Sequence, residues 1–232
     1  MSSHLPASIA LALVALAAFA GPTAAQSRPA TVVELFTSQG CSSCPPANAN
    51  LITLSQRPDV LTLSYAVTYW DRLGWKDIFS KPEFTDRQVV YEPALDQFGP
   101  YTPQMVINGA STAVGNHLDQ VETLIATTPR LGGPELTLAD NRLRLGAGTA
   151  PDAGADIWQV SYDPTTVEVE VPRGENAGRT LAHTHVVHDL VHLGRWTGAA
   201  QETTLTPPPE GLRTAILLQQ VNGGPILAAV TD

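Results

Sequence analysis

The feature that most constrains this chain is a change of hydrophobic period near Pro129. Ahead of that point, strand-like and helix-like runs alternate. TVVELFT reads as a short buried strand, and CPPANANLITLSQ as a helix. Pro45 and Pro46 suit its first turn, where no amide donor is missed, and Ala47, Leu51 and Leu54 form its apolar stripe. DVLTLSYAVT predicts a second strand, covered on both faces as in a parallel sheet. WDRLGWKDIFS is an aromatic loop, and TDRQVVYEPALDQF has helical character interrupted at Pro93. PQMVINGAST predicts a third strand ending at the turn signal Asn108-Gly109. NHLDQVETLIATT predicts a helix with Leu118, Val121, Leu124 and Ile125 on one face. This order predicts an α/β layer around a small sheet. After Pro129 comes a stretch rich in Gly, Pro, Asp and Ala, then short alternating runs: IWQVSYD, TVEVEVP, LAHTHVVHDLVHLGRW and LRTAILLQQV. With ELTLA and RLRLG they predict about eight antiparallel strands, packed on the first half or forming a small sandwich.

The chain divides into three segments: 1–25, 26–130 and 131–232. Within the first, ASIALALVALAAFAG is too short to span a bilayer with comfort. PTAAQ supplies small residues for cleavage, placing the cut after Ala25. No Lys or Arg precedes the apolar run, only His4, so an uncleaved anchor stays as the alternative. Cleavage predicts a periplasmic or secreted protein, in a compartment where disulfides persist. The net charge of −9 over 232 residues, with no basic run, argues against nucleic acid as partner.

The two cysteines, Cys41 and Cys44, stand between the first strand and the first helix. As a staple the pair is weak: a loop this short contributes roughly 2 kcal/mol through chain entropy. As a metal clip for zinc or copper it lacks a second pair of ligands. As a redox pair it is well placed. The helix start stabilises a thiolate at Cys41, the exposed attacking residue, and Cys44, one turn on, is shielded and resolves a mixed disulfide. Ser42 and Ser43 tune the thiolate by hydrogen bonding. A binding module with a permanently closed disulfide and a metal carrier remain as alternatives.

Pro103 directly precedes the third strand. A cis bond there would keep it out of the ladder and expose the backbone of Thr102. This layout resembles the thioredoxin fold. The resemblance implies that Thr102 and Pro103 flank Cys41 and receive substrate as an added strand. It also implies that Glu34 is a buried acid moving the proton of Cys44, a solvated Glu being the alternative. VELFTSQGCSSCPPA, YWDRLGWKDIF, TDRQVVY and YTPQMVING together, from about Val33 to Gly115, resemble the exported thioredoxin-like family known as domain of unknown function 1223. RGENAGRTL and VVHDLVHLGRW extend the likeness into the tail. The resemblance implies an α/β thioredoxin-like fold with a C-terminal β-rich, sandwich-like extension. The activity expected is thiol–disulfide exchange, without cofactor, on a protein or small thiol/disulfide substrate.

Tyr69, Trp70, Asp71, Trp75 and Lys76 could roof the dithiol and bind an apolar or peptide substrate, with Tyr101 beside them. Alternatively, buried tryptophans anchor the loop and Asp71 caps a turn. Arg87 and Gln88 read as structural, pairing with this loop. His183, His185, His188 and His192 crowd one stretch and could hold copper or zinc, or lie exposed on a strand. Asn176, Gly178 and Arg179 read as turn-forming.

Overall fold

Strand β1 (Thr31–Thr37) is buried along its whole length, and its two faces serve different cores. The structure is a computed structural model describing Met1 and residues 28–232. The predicted signal segment and its cut after Ala25 lie outside the described residues. β1 pairs in parallel with β2 (Val60–Ala66) and antiparallel with β3 (Gln104–Ile107), which carries β4 (Ser111–Val114) on its far side. The sheet order is β2-β1-β3-β4. Side chains alternate across a strand, so Val33 and Leu35 face one way and Val32, Glu34 and Phe36 the other. The first pair packs with Leu51 and Leu54 of helix α1 (Pro45–Ser55) and with Val121 and Ile125 of α3 (Leu118–Thr127). The second set meets Phe84 and Tyr91 of α2 (Pro82–Ala94) and then the C-terminal half.

That half holds nine strands. β7 (Ala155–Tyr162), β10 (Val187–Trp196), β12 (Arg213–Gln220) and β13 (Ile226–Thr231) form a sheet of order β10-β7-β12-β13. β5 (Leu136–Ala139), β6 (Arg142–Leu145) and β11 (Gln201–Thr204) form a second, and β8 (Thr166–Val171) pairs with β9 (Arg179–Thr184) as a hairpin. β12 explains the layering. Ala215 and Leu217 join the core shared with β1, while Ile216 and Leu218 join the core under β5 and β6. A strand covered on both faces reads as a continuous apolar run, as TAILL does. One hydrophobic cluster thus runs from Val32 and Tyr65 to Val160, Leu217 and Ala229.

The expected α/β thioredoxin-like fold with a β-rich extension is corrected. Thirteen strands in four sheets, with three short helices, make a mainly β protein over the described residues. Helical periodicity stops with α3. The face of the first sheet turned away from α1 and α3 is covered mainly by another sheet rather than by helices. Among the described residues no helix is long and apolar enough to cross a membrane.

Trp196 anchors the outer layer. It is fully buried among Leu136, Leu143 and Ile216, and its indole donates to Ala199 O at 2.8 Å. Trp196→Ala is expected to cost about 3–5 kcal/mol, read as a lower urea midpoint with an unchanged slope.

Candidate functional site

Cys41 and Cys44 are joined as a disulfide at the start of α1. Pro45 opens the helix, so Cys44 is its cap rather than a first-turn residue. The turn between the cysteines closes through Cys44 N donating to Cys41 O, and Cys44 O takes the amides of Ala47 and Asn48. Ser43 Oγ lies 3.4 Å from Cys41 Sγ, close enough to donate to a thiolate there. Both cysteines have no exposed surface. The expectation of an exposed Cys41 is therefore corrected.

What covers them comes from 135 residues away in sequence. The loop joining β8 to β9, residues 172–178, lies across the dithiol turn. Asn176 is fully buried, and its side-chain amide donates to both Gln39 O and Cys41 O at 2.9 Å. Its own oxygen is held by Arg179 at 2.7 Å. Glu175 accepts the amide of Ser42. Beneath this strap β9 packs on α1. Gly174 has a left-handed φ of +80°, and a side chain there would meet Trp75 at 3.4 Å. Removing the Asn176 amide would leave two buried carbonyls short of a donor, at about 1–3 kcal/mol each.

The aromatic loop closes the other side. The Trp75 indole donates to Gln39 Oε1 at 2.8 Å, and Asp77 takes the Gln39 amide at 2.7 Å. Asp71 caps the turn by accepting from Asp77 N and Ser80 Oγ. A side chain at Gly40 would stand 3.1 Å from Trp70 Cβ, so glycine lets the dithiol turn sit close to Trp70. The Trp70 indole then donates to Thr102 Oγ1 at 2.7 Å, and the Thr102–Pro103 bond is cis. Trp70 thus stands beside Gly40, next to Cys41, and is bonded to the Thr102–Pro103 loop. Tyr101 uses its hydroxyl on Thr112 and gives its carbonyl to Gln88. Gln88 also accepts the Tyr69 hydroxyl, pairing with this loop, whereas Arg87 turns to Glu34. Trp70, Asp71, Trp75 and Tyr101 are all half-buried.

Glu34 is committed elsewhere. It lies on the face of β1 turned away from α1, with Arg87 Nε at 2.6 Å and the Tyr91 hydroxyl bonded to its other oxygen. The relay role expected from the resemblance gives way to a buried ion pair. The four histidines do not converge either. His183 Nδ1 meets the Asn48 amide, His185 meets Thr62, His188 packs on Phe79, and His192 pairs with Asp156. Among the described residues no three metal-ligating side chains gather. His185 has a positive φ beyond the end of β9, which breaks the period-two relation with His183.

Sequence reasoning passed over Gln39, Asp77 and Glu175, and took Asn176 for a turn residue. Asp77 is buried, and that burial pushes its carboxyl up to about 6, against the amides of Gln39 and Phe79 that favour the charge. Only the RGENAGRTL string carried a trace of the strap.

The sequence profile described as "Protein of unknown function (DUF1223)" matches residues 32–219. Protein AGR_C_4864 from Agrobacterium tumefaciens, a solved structure, is 32% identical, with a TM-score of 0.70 over 89% of this chain and 95% of its own. HBP35 of Porphyromonas gingivalis is 11% identical, with a TM-score of 0.60 over 89% of this chain and 75% of its own; that likeness concerns the fold alone. No curated protein matches the chain.

Proposed function

This chain belongs to the DUF1223 family, of unknown function, and from that premise we propose that it is an exported thiol–disulfide oxidoreductase working through Cys41 and Cys44. One observation carries the reading: the disulfide closes a turn of four residues at the start of a helix, with Trp70 standing between that turn and the Thr102–Pro103 loop. Such a short loop adds little stability, whereas its place favours a thiolate. The positive end of the α1 dipole and the Ser43 hydroxyl stabilise the charge on Cys41. In exchange, a substrate thiolate attacks Cys41 Sγ, the Cys41–Cys44 bond breaks, and Cys44 leaves as a thiolate that takes a proton. A second substrate thiolate then attacks the substrate sulfur of the mixed disulfide, the bond to Cys41 breaks, and Cys41 leaves as a thiolate. Two substrate thiols become one disulfide and the protein holds the two electrons. The reverse sequence reduces a substrate disulfide.

The burial of both cysteines favours a second reading, a binding module whose disulfide stays closed. Titration against glutathione, read by thiol alkylation, separates the two. A working dithiol is expected to show a reversible two-electron transition at roughly −270 to −120 mV, lost in Cys41→Ser. A bond still closed below about −300 mV would support the second reading.

A further inference from the structure

Resting on the oxidoreductase reading, the geometry of the strap points to its substrate class: we infer that this dithiol exchanges with extended polypeptide segments in preference to small thiols. The strap occupies three backbone groups of the dithiol turn. Asn176 donates to the carbonyls of Gln39 and Cys41, and Glu175 accepts from the amide of Ser42. Two carbonyls and one amide of the turn are thus met by side chains of the strap, and all three are groups that the backbone of another chain can bond. Cys41 has no exposed surface, and the strap holds its carbonyl and the amide that follows it, so an attacking thiol must enter a turn that the strap keeps closed. A small thiol that displaces the strap replaces fewer of those bonds and leaves the rest to water. A polypeptide brings its own amides and carbonyls to replace it.

Two further features suit such a segment. Beside the strap runs a groove of about 330 Å³, walled by Trp75, Glu170, Val171 and Arg179, with room for side chains. Among the described residues β8 pairs only with β9, so its other edge is open to a further strand, and the end of the β8–β9 hairpin lines the groove. Addition of an extended segment at such an edge is a recurrent mode of peptide recognition.

The test compares two thiols on the oxidised protein: an unstructured peptide with one central cysteine, and N-acetylcysteine amide. Mixed-disulfide formation is followed by mass after acid quench, with rates expressed per thiolate. On the wild type the peptide is expected to react at least roughly tenfold faster, the scale of one or two hydrogen bonds. Asn176→Ala should raise the small-thiol rate about tenfold and shrink the preference. Glu175→Ala, at an exposed loop position, should move the same way by a smaller factor, and thermal unfolding checks that both variants fold. Equal rates for the two thiols on the wild type, or a preference untouched by either variant, would overturn the inference. If that happens while the glutathione titration still shows a reversible transition, the polypeptide preference alone is lost. If the disulfide resists both thiols and the titration too, the oxidoreductase reading goes with it.

Discussion

Glu34→Gln is expected to destabilise the protein by about 3–5 kcal/mol, because it leaves one buried charge without its partner. That is a large share of the roughly 5–15 kcal/mol that holds a domain together. Glu34 has no exposed surface, and the Arg87 side chain is only 5% exposed. The guanidinium bonds Glu34 through Nε and the Tyr91 hydroxyl through Nη2, and Gln219 donates to the same hydroxyl. Rings of Tyr65, Tyr91 and Trp158 stand 5.5 to 5.8 Å from its carbon. Burial holds the phenols of Tyr65 and Tyr91 protonated well above their ordinary range, so neither can take over the negative charge. Glutamine keeps the shape and removes the charge. The paired replacement Glu34→Leu with Arg87→Met removes both charges and should cost far less than the single change, since a buried pair contributes little net stability over apolar side chains. Urea unfolding of the three proteins decides it. A single variant as mild as the double would sink the account.

The second large effect is a pH dependence that two groups hide from each other. Burial pushes the Asp77 carboxyl up to about 6 and the His183 imidazole down to about 4. Between about pH 4 and 6 the folded protein holds a proton on Asp77 that the unfolded chain has released, so this contribution is present in acid and lost as pH rises. His183 does the opposite. Between about pH 4 and 6.5 the unfolded chain binds a proton that the folded protein refuses, so its contribution falls as pH falls. Each shift is worth about 3 kcal/mol, and in the wild type the two largely offset. Asp77→Asn should therefore lose about 3 kcal/mol more than the wild type on going from pH 6.5 to 4, while His183→Gln should lose about that much less. Urea midpoints at both ends of the range would show two slopes of opposite sign. Two variants that track the wild type would refute the assignment of these groups.

Local order was legible in the sequence because short-range chemistry sets it. β1, α1, β2 and α3 fall where period and flanking residues place them, and Pro45 and Pro46 open α1 as their missing amides dictate. The alternating runs of the tail fold as strands for the same reason. Polarity alone could not place Glu34. It lies on a strand otherwise composed of apolar residues and Thr, and its partner, 53 residues on, sits one helix turn before Tyr91. The fold class was misread because layers are decided by what covers a sheet. The cover of β1 lies in β7 and β12, which carry no mark of their partner. Cys41 looked exposed for a like reason. Nothing near it announces Asn176, a single polar residue in an exposed loop whose amide fits two distant carbonyls.

The strap also sets a timetable. A chain made from its N-terminus exposes both cysteines as soon as α1 can form, and residue 176 follows 135 residues after Cys41. In whatever compartment the chain folds, the thiols stand open until residues 172–178 have docked on them. Whatever oxidises this pair has its easiest opportunity then. A protein that acquires its disulfide late must reopen what its own ending has shut.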